Sequence, residues 1–171
     1  MIKIIEVKTK KQLKEFVEFP NKLYKGNEYY CPPMAQDEFN TFLPDKNPAF
    51  EYCESKQFLA YKDGVLVGRI AGIINHTHIE RQNKKQIRFA RFDAIDDIEV
   101  SKALFDAVKT YGIENKMDEM IGPLGFSDTD REDLIYACKN SGDFIALSFC
   151  RTAKDIEELR NYCKEKGLVV I

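Results

Sequence analysis

The sequence predicts an α/β chain of the α+β type. A mixed sheet with an antiparallel central hairpin is flanked by helices and followed by a helix–strand–helix–strand tail. Three observations predict it. Residues 57–75 read QFLAYKDGVLVGRIAGIIN, two strand-like runs (Phe58–Tyr61 and Val65–Ile74) joined through Asp63-Gly64. That dipeptide is a strong hairpin signal, because both central positions of a type I′ turn need φ > 0. Val100, Leu104, Ala107, Val108 and Tyr111 then recur at helical spacing, an apolar stripe that faces a sheet. Past about residue 130 helix and strand patterns alternate, the mark of a parallel βα unit.

The second hairpin run has no polar face. Val65, Val67, Ala71 and Ile73 fall on one side and Leu66, Ile70 and Ile74 on the other, so it is expected to be a central strand covered on both faces. Gly68 and Gly72 share one face of it. They mark a bulge or close backbone approach, or simply small residues beneath a packed helix.

The remaining elements follow in order. Ile2, Ile4, Ile5 and Val7 form a short strand. Thr9 and Gln12 have capping-box spacing and open a helix with Leu13, Phe16 and Val17 on one stripe, which Pro20 ends or kinks. Residues 21–50 are rich in aromatics, Pro and Asn. Disordered segments are poor in aromatics, so a packed excursion with a short helix is expected. It either walls a substrate pocket or, the plainer reading, covers an apolar sheet face.

His76-Thr77-His78 suits a metal, but no third and fourth ligands stand at zinc-site spacing, so no metal site is expected. A charged turn, Glu80–Lys85, comes next. Gln86–Ile95 is a strand with Ile87 and Phe89 pointing one way and Ala90, Phe92 and Ala94 the other. Asp96 and Glu99 have the spacing of an Asp-type capping box for a helix ending near Asn115. Met120–Leu124 is a short strand stopped by Pro and Gly.

The 171 residues suit one domain, with 44% hydrophobic and 32% charged residues as in ordinary globular chains. A net charge of −2 recruits neither nucleic acid nor anionic membrane. No apolar run approaches the roughly 20 residues of a membrane helix. The N-terminus MIKIIEVKTKK lacks a signal-peptide core. Five scattered cysteines, with no C-x-x-C pair, read as reduced thiols of a cytoplasmic protein.

Several phrases agree in order with a known family: FPNKLYKGNEYYCPPM, KNPAF, QFLAYKDGVLVGRIAGIIN, DDIEVSKALFDAVK and IGPLGFSD. Over residues 1 to about 130 the chain resembles the first two-thirds of a GNAT N-acetyltransferase fold, and more closely a GNAT-like family of uncharacterised bacterial proteins. From about residue 129 onward, DREDLIYACKNSGDFIALSFCRTAKDIEELRNYCKEKGLVVI resembles instead a segment of pyruvate kinase. The two meet in TDRED, so a truncated GNAT-like portion (1–130) followed by a foreign tail (131–171) is expected, in a fused, recombined, mis-assembled or designed chain. The alternative is a tail that simply completes one α/β sheet.

The GNAT resemblance implies acyl transfer from acetyl-CoA or another acyl-CoA to a small amine. A splayed strand pair presents a backbone N–H to the thioester carbonyl, and a helix N-terminus receives the pyrophosphate. On this chain Arg88–Ala94 would face the pantetheine arm and the turn Ile95–Ile98 the pyrophosphate, which makes Phe92, Ala94, Ile95 and Asp97 the candidate cofactor contacts. The family's glycine-containing phosphate loop is missing here. Asp96, Asp97 and Glu99 stand there instead; they stabilise the helix by about 0.3–1 kcal/mol each and repel a pyrophosphate.

Asp93 and Glu99 are candidate bases by position alone; a solvated carboxylate is the plainer reading of each. Arg69, Arg88 and Arg91 are placed to meet phosphates or an anionic substrate. Arg69, which interrupts an apolar strand, more simply pairs with a carboxylate. Kinase chemistry is not expected, because the tail's Ser148 and Arg151 would matter only in a whole (β/α)8 barrel and no glycine-rich phosphate loop is present. A GNAT-shaped module that binds and catalyses nothing is the rival reading. An open sheet edge leaves a homodimer open.

Overall fold

The computed structural model describes residues 1–126. The helix–strand–helix–strand tail expected after residue 130, with the pyruvate-kinase-like segment, lies outside them. The described elements are β1 (Ile2–Glu6), α1 (Lys10–Leu23), α2 (Ala35–Thr41), a 3-10 turn (Pro48–Glu51), β2 (Cys53–Lys62), β3 (Val65–Asn75), α3 (His76–Gln82), β4 (Gln86–Ala94), α4 (Ile98–Glu114) and β5 (Glu119–Ile121). One sheet runs β1-β2-β3-β4-β5. Its first three pairings are antiparallel, and β4 pairs β5 in parallel.

The expected hairpin forms at its expected turn. Asp63 and Gly64 have φ of +51° and +82°, the left-handed pair that a type I′ turn requires. β2 starts earlier than its apolar run, at Cys53, because β3 is long enough to pair with all of it. The Thr9 capping box also forms: the Gln12 N–H donates to Thr9 Oγ1 and the Thr9 N–H to Gln12 Oε1 at 3.0 Å.

Each face of the sheet has its own apolar cluster. Leu13, Phe16 and Val17 of α1 pack with Phe42, Leu59, Ala71, Ile73 and Ala90. On the opposite face Val100, Leu104, Val108 and Tyr111 of α4 pack with Phe58, Ile70, Ile74 and Ile87. The two strand glycines serve this second face. A Cβ at Gly68 would lie 2.8 Å from Leu104 Cδ1, and one at Gly72 3.1 Å from Tyr111 Cδ1, so both are small residues beneath a packed helix, and Gly68 also stands beside a bulge.

Two bulges correct the face assignments made by simple alternation. In β3, Ala60 faces Gly68 while Tyr61 faces Leu66, so Val67 is extra. Leu66 therefore joins the α1-side cluster and Val67 the α4-side cluster, the reverse of the period-2 reading. In β4, Arg69 faces Asp93 and Ala71 faces Ala90. Ile70 alone thus opposes Arg91 and Phe92, and Arg91 takes a left-handed φ of +51°. Beyond this bulge Phe92 and Ala94 turn to the α4 side, with Ile87 and Phe89, and only Ala90 stays with the α1-side core.

Three further findings concern helix ends. α1 runs through Pro20, which is buried inside it. The cap of α4 is Asp97, not Asp96; its carboxylate accepts the Glu99 N–H at 3.0 Å. The two histidines open a seven-residue helix capped by Asn75, in place of part of the expected charged turn.

Candidate functional site

The bulge at Arg91 is the local event that builds a site. In an unbroken strand Asp93 would point to the α4 side. The extra residue turns it to the α1 side, directly opposite Arg69. Arg69 Nε donates to Asp93 Oδ2 at 2.8 Å, and the Tyr24 hydroxyl donates to Asp93 Oδ1 at 2.9 Å. Arg91 donates from Nε and Nη2 to the two carboxylate oxygens of Glu38, at 2.6 and 3.0 Å, a bidentate pair. Glu38 Oε1 also lies 4.0 Å from Arg69 Nη1. Two arginines and two carboxylates thus form one charge-balanced chain that is buried at Arg69 and Glu38, 4% and 6% exposed, half-buried at Asp93 and exposed at Arg91.

The proline in α1 explains how Arg69 is held. Pro20 has no N–H, so the Phe16 carbonyl four residues earlier loses its helical partner. Arg69 Nη1 takes that carbonyl at 2.8 Å, and the guanidinium lies over the Phe16 ring, 4.9 Å from its centre. The kink signal and the polar interruption of an apolar strand are two halves of one contact. Burial pulls the Arg69 pKa down, opposed by the charges of Asp93 and Glu38. Burial first, and then the facing Asp93 carboxylate, push the Tyr24 phenol up, so it stays a donor at neutral pH. The Tyr30 ring, 5.0 Å from that of Tyr24, flanks the pair.

Next to this chain β4 and β5 part. Their ladder covers Gln86–Arg88 against Glu119–Ile121, and the Leu124 N–H still reaches the Phe89 carbonyl at 2.9 Å. Among the described residues, Ala90–Ala94 of β4 have β3 on one side and no strand on the other. A cavity of about 420 Å³ opens on the same face as Asp93, and its lining includes Phe42, Tyr52, Ile73, Ala90, Arg91 and Phe126. Its far wall is pinned by polar ties: Asn75 Nδ2 and Cys53 Sγ donate to the Phe126 carbonyl, and Arg88 Nη1 to that of Gly125.

The residues singled out from sequence are divided between places. Asp93 is in the charged chain; Glu99 is exposed on α4 and not brought to it. Phe92, Ala94 and Ile95 pack against the α4-side cluster, with the Phe92 and Phe105 rings 4.8 Å apart. Asp97 pairs with Lys62 Nζ at 2.5 Å, and this bond holds its carboxyl below the usual range. The turn before α4 uses its own donors: the Ile95 N–H goes to Val67 O, the Asp97 N–H to Ile95 O and the Glu99 N–H to Asp97 Oδ1. His76 meets Glu54 at 2.9 Å and His78 meets Gln86 at 3.1 Å. No group of three or more metal-ligating side chains occurs among the described residues. Tyr24 and Glu38 escaped sequence reasoning. Tyr24 lies in an aromatic-rich stretch with no period, and one of two adjacent acids, Asp37 and Glu38, in a seven-residue helix carries no signal.

No protein-family model matches the chain. It is 32% identical over 126 residues to Protein YghO of Escherichia coli K12, which covers 74% of this chain and 32% of that protein. It is 27% identical over 135 residues to the Bacterial ceramide synthase of Caulobacter vibrioides, covering 78% of this chain and 35% of that one. The chain therefore spans about one third of the length of these curated relatives. Among solved structures it resembles an aminoglycoside acetyltransferase from an uncultured soil metagenomic sample, in complex with sisomicin, with a TM-score of 0.54 and 13% identity over 88% of this chain and 95% of that one. The aminoglycoside N-acetyltransferase AAC(6')-Iy in complex with CoA matches with a TM-score of 0.53 and 16% identity, over 90% and 95% of the two chains. The class these likenesses define is the fold: a mixed α+β sheet flanked by helices, as in the GNAT acetyltransferases. No helix among the described residues is long and apolar enough to cross a membrane.

Proposed function

We propose that residues 1 to about 130 form an acyl-CoA-dependent N-acyltransferase-like domain that passes an acyl group to an amine. The observation that carries this reading is the stretch of β4 beyond Phe89, which has no described neighbour on the β5 side, together with the half-buried Asp93 carboxylate on that same stretch. Past Phe89 the strand has no described neighbour on the β5 side, and Asp93 stands there with its oxygens held by Arg69 and Tyr24. Backbone donors at an open edge suit a thioester carbonyl, whose oxygen gains charge as the amine attacks. The carboxylate is the group to orient the attacking amine and accept its proton. Because Arg69 and Tyr24 hold it from two sides, Asp93 is positioned before any acceptor arrives. Support from the relatives is chemical: a ceramide is an amide, so a ceramide synthase by its name joins an acyl group to an amine nitrogen.

A second reading, a GNAT-shaped module that binds without catalysis, is favoured by one observation. The turn before α4, where the pyrophosphate would sit, is closed by Asp97, which caps the helix and pairs with Lys62. One experiment separates the two on the full chain. Melting is followed with saturating acetyl-CoA and, separately, a long-chain acyl-CoA, and release of free CoA thiol is followed with a panel of amines. Ligand at 100 times its dissociation constant adds about 2.7 kcal/mol. A shift together with amine-dependent thiol release supports the transferase. No shift and no release leave the binding module.

A further inference from the structure

The geometry points to the cavity above Ile73 and Ala90 as the seat for the hydrocarbon tail of an amphiphilic substrate, with its polar head at the Arg91–Glu38 end. Thr41 and Asn47, two polar side chains of the wall, are bonded within it. The Thr41 hydroxyl donates to Asp37 O, Asn47 Nδ2 donates to Thr41 O, and Asn47 Oδ1 accepts the Ala49 N–H. Arg91 gives Nε and Nη2 to Glu38. A sugar or other polyhydroxylated occupant would therefore find few free groups to replace the water it leaves, while an apolar group needs none.

The floor is dry. Ile73 is 1% exposed, Ala90 4% and Phe42 5%. Arg91, its side chain 39% exposed, stands at the solvent boundary of the cavity, as do Pro48 and Gly125. An apolar cavity of about 420 Å³ with a charged pair at one end has the size and polarity pattern of a ligand site, and the pattern is that of an amphiphile. Through Glu38 and Arg69 the charged end continues to Asp93, so a head group at Arg91 lies toward the carboxylate assigned above to the amine. This assignment deepens the acyltransferase reading and rests on it for the identity of the head group. The tail chemistry is the same whether it belongs to the acceptor amine or to the acyl group of the donor.

The test is calorimetric titration of the full chain with n-alkylamines from butyl to dodecyl, the matching n-alkanols, and acyl-CoAs of the same chain lengths, all below their micelle concentrations. Affinity for at least one charged series, and for the alkanols, is expected to rise about fourfold per methylene, the equivalent of about 0.8 kcal/mol each, until the cavity is full. Ala49→Leu, which adds volume to the wall, is expected to weaken the long chains at least tenfold and leave butylamine unchanged. A rise confined to the alkylamines assigns the tail to the acceptor, and one confined to the acyl-CoAs assigns it to the donor. Affinity independent of chain length in every series overturns the assignment, whatever the variant does. So does a chain-length dependence that a folded Ala49→Leu protein retains in full. The alkanol arm needs neither CoA nor transfer, so it still reports on the cavity if the transferase reading fails.

Discussion

The two faces of one sheet are built from the same strands and do different things. The α4 face is dry: Val100, Leu104 and Val108 are fully buried over Ile70, Ile74 and Ile87, and two glycines let the helix close on the strand. The α1 face carries a core of similar kind and, beside it, four charged side chains and a cavity. Buried ion pairs repay their desolvation only with very good geometry, so they are a poor way to stabilise a fold. The difference shows where this chain spends stability on something other than folding, and the bulge at Arg91 is what assigns Asp93 to that face.

The contrast is sharpest if broken at Arg69. Arg69→Met strips Asp93 and the Phe16 carbonyl of a donor together and should cost about 3–5 kcal/mol in urea unfolding. Adding Pro20→Ala restores an N–H for the Phe16 carbonyl and should return at least about 1 kcal/mol of that, the cost of an unmade buried bond. If the double variant is no more stable than the single, the proline and the arginine are not coupled. On the dry face Leu104→Ala should cost about 2–5 kcal/mol by cavity formation, yet leave binding of any α1-face ligand intact once the protein is folded. Gly68→Ala should cost about 1–3 kcal/mol by overpacking against Leu104, Val100 and Ala94.

Alkali gives the gentlest probe. Tyr61 and Tyr111 are each pushed up to about 12, by burial in both cases and by the Glu15 contact as well for Tyr61. A raised pKa means stability that is whole below pH 10 and is lost as pH climbs through 12. Melting temperature should fall across that window, and Tyr111→Phe should flatten the part of the fall that comes from the dry face.

How far the sequence could be read follows the same division. The hairpin, the α4 stripe and the Thr9 cap are local signals, written in neighbouring residues, and the structure has all three. The faces of β3 and β4 were not legible beyond their bulges, because alternation assumes one residue per partner and Val67 and Arg91 each break that count. The site was half legible. Arg69 stood out as a charge in an apolar strand and Asp93 by its position, but Tyr24 and Glu38 arrive from a distant segment whose docking no local pattern encodes. Pro20, read as ending or kinking α1, does not end it: the helix runs on to Leu23, and Arg69 supplies the partner for the carbonyl that the proline leaves without one.

Asp93, on the stretch of β4 with no described neighbour on the β5 side, is the group proposed to receive the amine. The most direct test of that role is the rate of amine-dependent CoA thiol release in single turnover by the wild-type chain, by Asp93→Asn and by Glu99→Gln. The prediction is a loss of about 10²- to 10⁴-fold for Asp93→Asn and an unchanged rate for Glu99→Gln. A folded Asp93→Asn protein that releases thiol at the wild-type rate would contradict it.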